Sequence, residues 1–389
     1  MQRSGDITLL DEQQPFLEGA AVPAHAEDVY EQPRRSAQQA TLYEHGARAI
    51  DHSLRTGAHG LPLMGTGDWN DGMNRVGHGG QGESVWLAWF LCQVVDLYLP
   101  LAQARGDAPR VAAWQQARQG WVAALDSQAW DGHWYLRAFF DDGSALGAAA
   151  NPEARIDLIA QAWAVLSGAG DPGRAAQAMD SAQALLIDGN TGLVKVLDPP
   201  LQQAQPSAGY IQAYPPGVRE NGGQYNHAGV WALMALSRLG RHAQAWEVFT
   251  RLSPAHRSAD PAEAARYHIE PYVMAGDIYT QAPWVGRGGW SWYSGSAGWL
   301  LRAALESLCG VVVQAGSLTV QAGLPPHWPQ VTVRLRHGDG WITVLVCADA
   351  SLADDWQRRH PGGYSLAPGQ PLALAGLPAD AQVLVRVRV

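Results

Sequence analysis

Apolar residues recur at helical spacing through most of the chain, from about Ser36 to Cys309. This pattern predicts a series of amphipathic helices. Segments rich in Gly, Pro and Asn separate them, and long loops on a helical scaffold are where binding sites are usually built. The predicted helices are Ala37–Leu54, Glu83–Ala104, Ala108–Leu125, Ile156–Gly168, Arg174–Leu186, His227–Leu239, His242–Leu252, Pro261–Tyr267 and Ser296–Leu308.

After Gly310 the pattern changes to short runs of alternating apolar and polar residues between Gly- and Pro-rich turns, which indicates strands. We therefore predict a mainly α chain in three parts. Residues 1–35 form an irregular N-terminal segment, residues 36–309 a helical body, and residues 310–389 a small C-terminal β-sandwich. The predicted strands are Val311–Val313, Ser317–Gln321, Val331–Arg336, Trp341–Val346 and Val383–Val389.

The composition narrows the class of partner. A net charge of -9 offers no basic field for nucleic acid or anionic lipid, so neither is expected as a partner. The chain has 17 Trp but only 5 Phe. A high content of Trp is common in carbohydrate-active proteins, although a hydrophobic core explains many of these residues equally well. Cys92, Cys309 and Cys347 match neither a zinc pattern nor a disulfide framework, which favours a reducing compartment. We find no signal peptide and expect no run of about 18 apolar residues that could span a bilayer.

The loop Gly60–Asn74 places two carboxylates, an indole and two carboxamides in a short run interrupted by glycines. These groups suit a carbohydrate site, because an indole stacks on a sugar ring and polar groups bind its hydroxyls. A carboxyl group there can also act as general acid on a glycosidic oxygen. Alternatively, Asp68 and Asn70 only satisfy backbone N–H groups of a turn. The loop alone leaves these two interpretations level.

A second polar cluster, Tyr214–His227, lies in a Gly/Pro loop directly before a predicted helix. Arg219, His227 and the start of that helix can supply positive charge and N–H donors for an anion. Glu220 can hold a sugar hydroxyl or act as a base. Alternatively, the two asparagines of this loop cap the helix and His227 bonds to the backbone.

A third cluster, Gly286–Trp299, combines glycines and small hydroxyls with aromatic residues. Free N–H groups and hydroxyls at Ser294 and Gly295 suit an oxyanion such as phosphate lying against a sugar. An ordinary Gly-rich loop explains them equally well, and for Trp299 a core position is favoured.

The sequence lacks the motifs of several other classes of site. The sequence has no GxSxG elbow, no GxxxxGK[ST] phosphate loop and no HExxH, and its thirteen histidines show no metal spacing, so we expect no metal site. Asp157 and Gln161 lie one helical turn apart, but an amphipathic surface is a sufficient explanation for that pair.

The three loop clusters together resemble glycoside hydrolase family 94, the inverting phosphorylases of β-linked glucosides such as cellobiose and chitobiose phosphorylases. The likeness spans nearly the whole chain, and it is closest to the C-terminal phosphorylase-like region of cyclic β-1,2-glucan synthases. It implies inorganic phosphate as co-substrate and no other cofactor. The segments that carry the synthase likeness are Gly57–Val76, Arg155–Gly170 and Tyr214–Leu239.

The resemblance also implies a role for each matched position. Asp71, the second aspartate of Asp-Trp-Asn-Asp, matches the general acid, and Asp68 is then a structural or hydroxyl-binding carboxylate. Ser294 stands where the disaccharide phosphorylases have threonine, and it keeps the hydroxyl. The expected substrate-binding residues are Asp68, Trp69, Asn70, Tyr214, Arg219 and Glu220, and the expected phosphate-binding residues are His227, Ser294 and Gly295.

The family fold implies that residues 36–309 are the C-terminal portion of an (α/α)6 barrel, because nothing before His59 matches the family's donor-sugar motif. We therefore expect the chain to be part of a larger membrane-bound synthase on the cytoplasmic side of the inner membrane, and to be soluble and cytoplasmic by itself. Its expected partners are a β-linked glucan and phosphate. The leading hypothesis is phosphorolysis of linear β-1,2-glucan to α-glucose 1-phosphate. The alternatives are an (α/α)6 glycosidase with Glu220 as base, and an inactive glucan-binding fragment.

Overall fold

The computed structural model describes residues 5–21, 29–321 and 323–387. Helices make up 39% of the chain and strands 19%, so the content is mixed and the prediction of a mainly α chain was too simple. The helices are α1 (Leu42–His52), α2 (Val85–Ala104), α3 (Ala108–Gln128), α4 (Leu158–Ser167), α5 (Pro172–Leu186), α6 (Asn226–Arg238), α7 (His242–Leu252), α8 (Pro254–Arg257), α9 (Pro261–Tyr267), α10 (Ser294–Ala303, continued as a π-helix over Ala304–Leu308) and α11 (Ala350–Arg359).

Most strands in the first part of the chain are two-residue pairings between loops. The longer strands lie at the two ends of the described chain. The strands are β1 (Gln13–Glu18), β2 (Arg34–Thr41), β3 (Glu83–Ser84), β4 (Ala138–Phe139), β5 (Ala145–Leu146), β6 (Ile156–Asp157), β7 (Leu197–Asp198), β8 (Gln224–Tyr225), β9 (Asp277–Ile278), β10 (Val311–Gln314), β11 (Ser317–Val320), β12 (Gln330–His337), β13 (Gly340–Cys347), β14 (Tyr364–Leu366), β15 (Leu372–Ala373) and β16 (Gln382–Arg386).

The N-terminal segment was predicted to be irregular, but part of it forms β1, which pairs antiparallel with β2. Neither strand has a buried face, so the sequence shows no alternation of apolar and polar residues that would predict them. The pairing also shortens the first helix, which begins at Leu42, where the Thr41 side chain accepts a hydrogen bond from the backbone N–H of Glu44.

The helical body has an inner and an outer row. The inner helices α2, α4, α6 and α10 pack against one another in that order, and α3, α5 and α7 each follow an inner helix and pack on its outside. Every residue of α4 is buried, since α2, α5 and α6 surround it. A helix covered on all sides is expected to be apolar all round, whereas the outer helices keep a solvent face.

Helix α2 corrects one expectation. Within the described ranges it is the single helix long and apolar enough, by length and composition, to cross a bilayer. Its side chains Trp86, Trp89, Cys92 and Val95 are buried in the core of the helical body. Packing between α3 and α4 therefore accounts for its apolar character.

The C-terminal part contains two sheets, β10–β11–β15 and β12–β13–β16–β14. Val311 and Leu318 of the smaller sheet share one hydrophobic cluster with Val344 and Val383 of the larger. Helix α11, which was not predicted, covers the opposite face of the larger sheet through Trp356. Helix α11 follows β13 in the chain. In this sheet β16 pairs parallel with β13 and β14 pairs parallel with β16, and parallel strands need a crossover connection, which this helix supplies.

Candidate active site

The first predicted loop folds into a tight turn that ends in a 3-10 turn over Asp71–Met73. Asp68 accepts a hydrogen bond from the backbone N–H of Asn70, and the Asn70 carboxamide oxygen accepts one from that of Gly72. Both side chains are buried and form the turn, as the alternative interpretation of this loop describes, and their contact with substrate stays a prediction. The same turn leaves Asp71 exposed.

Asp68 belongs to a buried ionic cluster with Arg137 and Asp157. The Nη1 and Nη2 atoms of Arg137 donate to the two carboxylate oxygens of Asp68 at 2.7 and 2.6 Å, and the Ser84 hydroxyl donates at 2.6 Å. Burial favours the neutral acid, but the Arg137 charge and these hydrogen bonds outweigh it and lower the pKa of Asp68. Because Arg137 Nε faces Asp157 only at 3.4 Å, burial dominates there and raises the pKa of Asp157 to about 6.

The predicted amphipathic surface at Asp157 and Gln161 is wrong, since both side chains are buried. Asp157 caps α4 by accepting from the N–H of Ile159. Gln161 exchanges two hydrogen bonds with the backbone of Tyr135, at 2.9 and 2.8 Å. These contacts tie α4 to the strand segment that carries Arg137.

The exposed carboxylate of Asp71 has one tyrosine partner. The Tyr210 hydroxyl donates a hydrogen bond to it, and burial followed by this contact raises the pKa of the Tyr210 phenol, which therefore stays protonated as a donor. The Tyr210 ring meets Tyr214 edge to face at 6.0 Å. Asn74 accepts from the backbone N–H of Tyr210 at 3.1 Å, which docks this segment onto the Asp71 turn. Sequence reasoning missed Tyr210.

Arg219 and Glu220 form the next part of the site. The Arg219 guanidinium lies over the rings of Tyr214 and Trp290, 4.8 and 5.3 Å from their centroids. Its Nε faces the buried Glu220 carboxylate at 3.4 Å, and the Tyr225 hydroxyl hydrogen-bonds to the same carboxylate. The predicted substrate residues Tyr214, Arg219 and Glu220 are thus brought together, with Tyr225 as a member that the sequence did not indicate.

The predicted phosphate residues also converge. His227, Ser294 and Gly295 line one cavity of about 380 Å³, together with Tyr225. Trp69 Nε1 donates to His227 Nδ1 at 3.4 Å, which assigns the ring proton to Nε2. That Nε2 is buried and has no hydrogen-bond partner among the described residues. Burial lowers the pKa of His227 to about 4, so the ring is neutral at neutral pH.

Trp69 joins the turn that carries Asp71 to this cavity. Its ring meets those of Tyr225 and His227 edge to face, each at 5.4 Å, and packs on Trp231 at 5.2 Å. The indole therefore orients the histidine, and the substrate-binding role of Trp69 stays a prediction.

The loop asparagines do not cap α6, which removes the alternative explanation of the second cluster. Asn221 donates to the carbonyls of Leu201 and Tyr214, and Asn226 donates to that of Ala275. No side-chain cap is present at the start of α6 within the described part of the chain. The asparagines hold neighbouring loops together and leave His227 free of a capping role.

The low pKa of His227 predicts that the free energy of unfolding depends on pH. An ordinary histidine in the unfolded chain binds a proton near pH 6.5 and the folded one only near pH 4, so between these values the unfolded state binds more protons. The wild-type chain should therefore lose stability as the pH falls from 6.5 towards 4. His227→Gln lacks this loss, about 2 kcal/mol at pH 5. Urea denaturation of both proteins at pH 7 and pH 5 measures it, and equal losses would refute the assignment.

Two further findings concern metals and thiols. In the ranges that the structure describes, no group of three or more His, Cys, Asp or Glu side chains is arranged to hold a metal ion. Cys92, Cys309 and Cys347 are buried free thiols. Burial raises the pKa of the Cys92 thiol to about 12, so this side chain packs as an apolar group.

Curated proteins of known activity match most of the chain. It is 45% identical to the cyclic beta-(1,2)-glucan synthase NdvB of Rhizobium meliloti (strain 1021) over 89% of its length, which is 12% of that protein. It is 32% identical over 80% of its length to the 3-O-beta-D-glucopyranosyl-beta-D-glucuronide phosphorylase of Paenibacillus borealis, and 29% identical over 89% to that organism's solabiose phosphorylase. It spans only 40% and 42% of those two phosphorylases.

The fold also resembles a solved structure. The GH78 family rhamnosidase of Bacillus sp. GL1 superimposes with a TM-score of 0.52 over 90% of this chain and 32% of that one, at 12% identity, which is a likeness of fold alone. The family model described as "Glycosyl hydrolase 94 superfamily, catalytic domain" matches residues 25–310, a range that includes the Asp71 turn, the Glu220 loop and the His227 cavity. This chain therefore belongs to the glycosyl hydrolase 94 superfamily, with residues 25–310 as its catalytic domain.

Proposed function

We propose that this chain performs inverting phosphorolysis of linear β-1,2-glucan or a related β-glucoside, releasing α-glucose 1-phosphate. The observation that carries the proposal is the buried, unpartnered Nε2–H of His227, a residue that lines one cavity together with Ser294 and Gly295. A buried donor without an acceptor costs about 1–3 kcal/mol, and a bound anion recovers that cost. Phosphate suits the cavity because its oxygens accept from the imidazole, the serine hydroxyl and the N–H groups at the start of α10.

The proposed chemistry needs one general acid and no catalytic base, because phosphate is already an anionic nucleophile. Asp71 gives its proton to the glycosidic oxygen as that bond breaks, and a phosphate oxygen bonds to the anomeric carbon from the opposite face, which inverts its configuration. Tyr210 orients the Asp71 carboxyl. No cofactor takes part.

Glu220 suits sugar binding better than the role of base in a hydrolase. A base that activates water needs an available carboxylate. Glu220 is buried, faces the Arg219 charge at 3.4 Å and is hydrogen-bonded by Tyr225. These contacts hold the carboxylate beside Tyr214, and its Oε2 atom, which has no hydrogen-bond partner among the described residues, can accept from a hydroxyl of the leaving sugar.

We also propose that the chain is part of a cyclic β-1,2-glucan synthase held at the cytoplasmic side of the inner membrane, where phosphorolysis would set glucan length. The match to the Rhizobium meliloti synthase supports this setting. The inner and outer helix rows support the C-terminal portion of an (α/α)6 barrel, and the cluster shared by the two C-terminal sheets supports a β-sandwich.

The phosphate cavity makes a kinetic prediction. His227→Gln and Ser294→Ala should each raise the KM for phosphate by about 10-fold to 100-fold, since each removes a hydrogen bond to an anion. The KM for the glucan should change little. Initial rates of glucose 1-phosphate formation at varied phosphate concentration measure both constants.

Ser291→Ala is the matched control, because Ser291 lies in the same loop but does not line the cavity. It should leave the KM for phosphate unchanged. An unchanged KM in both His227→Gln and Ser294→Ala would refute the proposed phosphate site.

A further inference from the structure

Three large aromatic side chains stand exposed beside the candidate active site. Trp290, Trp292 and Tyr272 are 59%, 68% and 76% exposed. Trp292 also lines the His227 cavity, and its ring meets that of Tyr272 edge to face at 6.3 Å. We call Trp290, Trp292 and Tyr272 the aromatic ledge. Grouped exposed rings of this kind mark a binding surface, whereas single ones are ordinary.

The ledge is held in position. Trp292 has a φ of +64°, which is a strained backbone conformation for a bulky residue. Its indole Nε1 donates to the Glu270 carboxylate at 3.3 Å, and the neighbouring Tyr293 N–H donates to the carbonyl of Met274 at 3.3 Å. A strained backbone conformation that holds an aromatic ring exposed to solvent indicates that the ring binds a ligand.

Asp277 joins the ledge to the sugar-binding residues. Its buried carboxylate accepts from the backbone N–H of Arg219 at 2.6 Å and also from that of Trp290. Arg219 itself has a φ of +52°, and its guanidinium lies over the Trp290 ring at 5.3 Å. The ledge is therefore continuous with the pair that Arg219 and Glu220 form.

We propose that the aromatic ledge binds further glucosyl units of a β-glucan whose leaving-group unit lies on Arg219 and Glu220. This inference rests on the proposed function and deepens it, because it makes a chain of three or more units the preferred substrate over a disaccharide. Indole and phenol faces pack on the C–H faces of sugars, and the Glu270 carboxylate can accept from their hydroxyls. The acidic net charge disfavours nucleic acid as the occupant.

The test is isothermal titration calorimetry of this chain, without phosphate, with β-1,2-glucan oligosaccharides of two and six units. The hexasaccharide should bind about tenfold more tightly than the disaccharide. Trp290→Ala combined with Tyr272→Ala should remove this advantage, and Tyr272→Ala alone should reduce it and leave the disaccharide affinity within about twofold. Trp341→Ala, which removes an exposed Trp from β13 of the C-terminal sheet, is the matched control and should keep the advantage.

Equal affinities for the two oligosaccharides would overturn the inference, as would an advantage that survives in the double variant, or binding of neither sugar. If the double variant unfolds, Tyr272→Ala alone carries the test, because that ring is the most exposed of the three. Self-association that the ledge variants abolish, together with equal affinities, would assign the ledge to a protein contact instead. The proposed function is judged separately, by phosphate-dependent product formation, and it stands if only the chain-length effect fails.

Discussion

Replacing Asp71 by asparagine should slow phosphorolysis of β-1,2-glucan by about 10²-fold to 10⁴-fold, which is the usual contribution of a general acid. Asparagine has the same shape and still accepts from the Tyr210 hydroxyl, so the turn should keep its geometry. What the variant loses is the proton for the leaving oxygen. The effect should therefore appear in kcat, with the KM for glucan nearly unchanged, in steady-state rates measured on the chain and on the synthase that we propose carries it.

An activated substrate separates loss of the acid from loss of structure. The dinitrophenolate of a dinitrophenyl β-glucoside leaves without protonation. The rate at which Asp71→Asn phosphorolyses this substrate should therefore fall by less than about tenfold. Full activity of Asp71→Asn on the glucan would show that another group is the acid. An equal loss on both substrates would show that the substitution damages the site in general.

Arg137→Met should have the largest effect on stability, about 3–5 kcal/mol in the free energy of unfolding, because it leaves the buried Asp68 carboxylate without its cation. In the variant, the buried Asp68 and Asp157 carboxyls should hold protons that the unfolded chain releases. The folded state then binds more protons, so the loss of stability should be smaller at pH 5 than at pH 8. Urea denaturation at both pH values measures this difference, and the loosened turn should also reduce activity through Asp71.

Arg118→Met is the matched control for Arg137→Met. Arg118 pairs with Asp96 at 2.6 Å, but both side chains are partly exposed, so the loss should stay below about 1 kcal/mol. Equal losses for the two variants, or an Arg137→Met variant as stable as the wild type at pH 8, would contradict the structural role of the buried cluster.

Local signals made most of the helices predictable from the sequence. Helix α9 begins and ends at the predicted residues because Asp260 caps it and Pro261 occupies its first turn, and both signals lie beside the helix. Helix α11 had such a signal too, since Asp349 caps it, but the alternating residues around it favoured strands. The pairing of β1 with β2 depends on partners far apart in the chain, and neither strand has a buried face to announce it.

The candidate site was predictable to the level of loops, and less so to the level of single side chains. Asp68 and Asp71 lie three residues apart in one turn, and their residue types alone do not distinguish them. The family resemblance gave Asp71 as the acid, and the pairing of Asp68 with the distant Arg137 appears only in the structure. Tyr210 and Tyr225 were missed because their roles arise from contacts with Asp71 and Glu220 that form on folding. A polar residue in a Gly-rich loop thus indicates a site, whereas its exact role depends on which neighbour neutralises it.

Inverting phosphorolysis is tested most directly by the product formed when β-1,2-gluco-oligosaccharides are incubated with and without phosphate and followed by proton NMR. We expect α-glucose 1-phosphate as the first product, at a rate that rises with phosphate concentration, and no release of glucose when phosphate is absent. Glucose released at the same rate without phosphate, or glucose 1-phosphate formed first as the β anomer, would contradict inverting phosphorolysis.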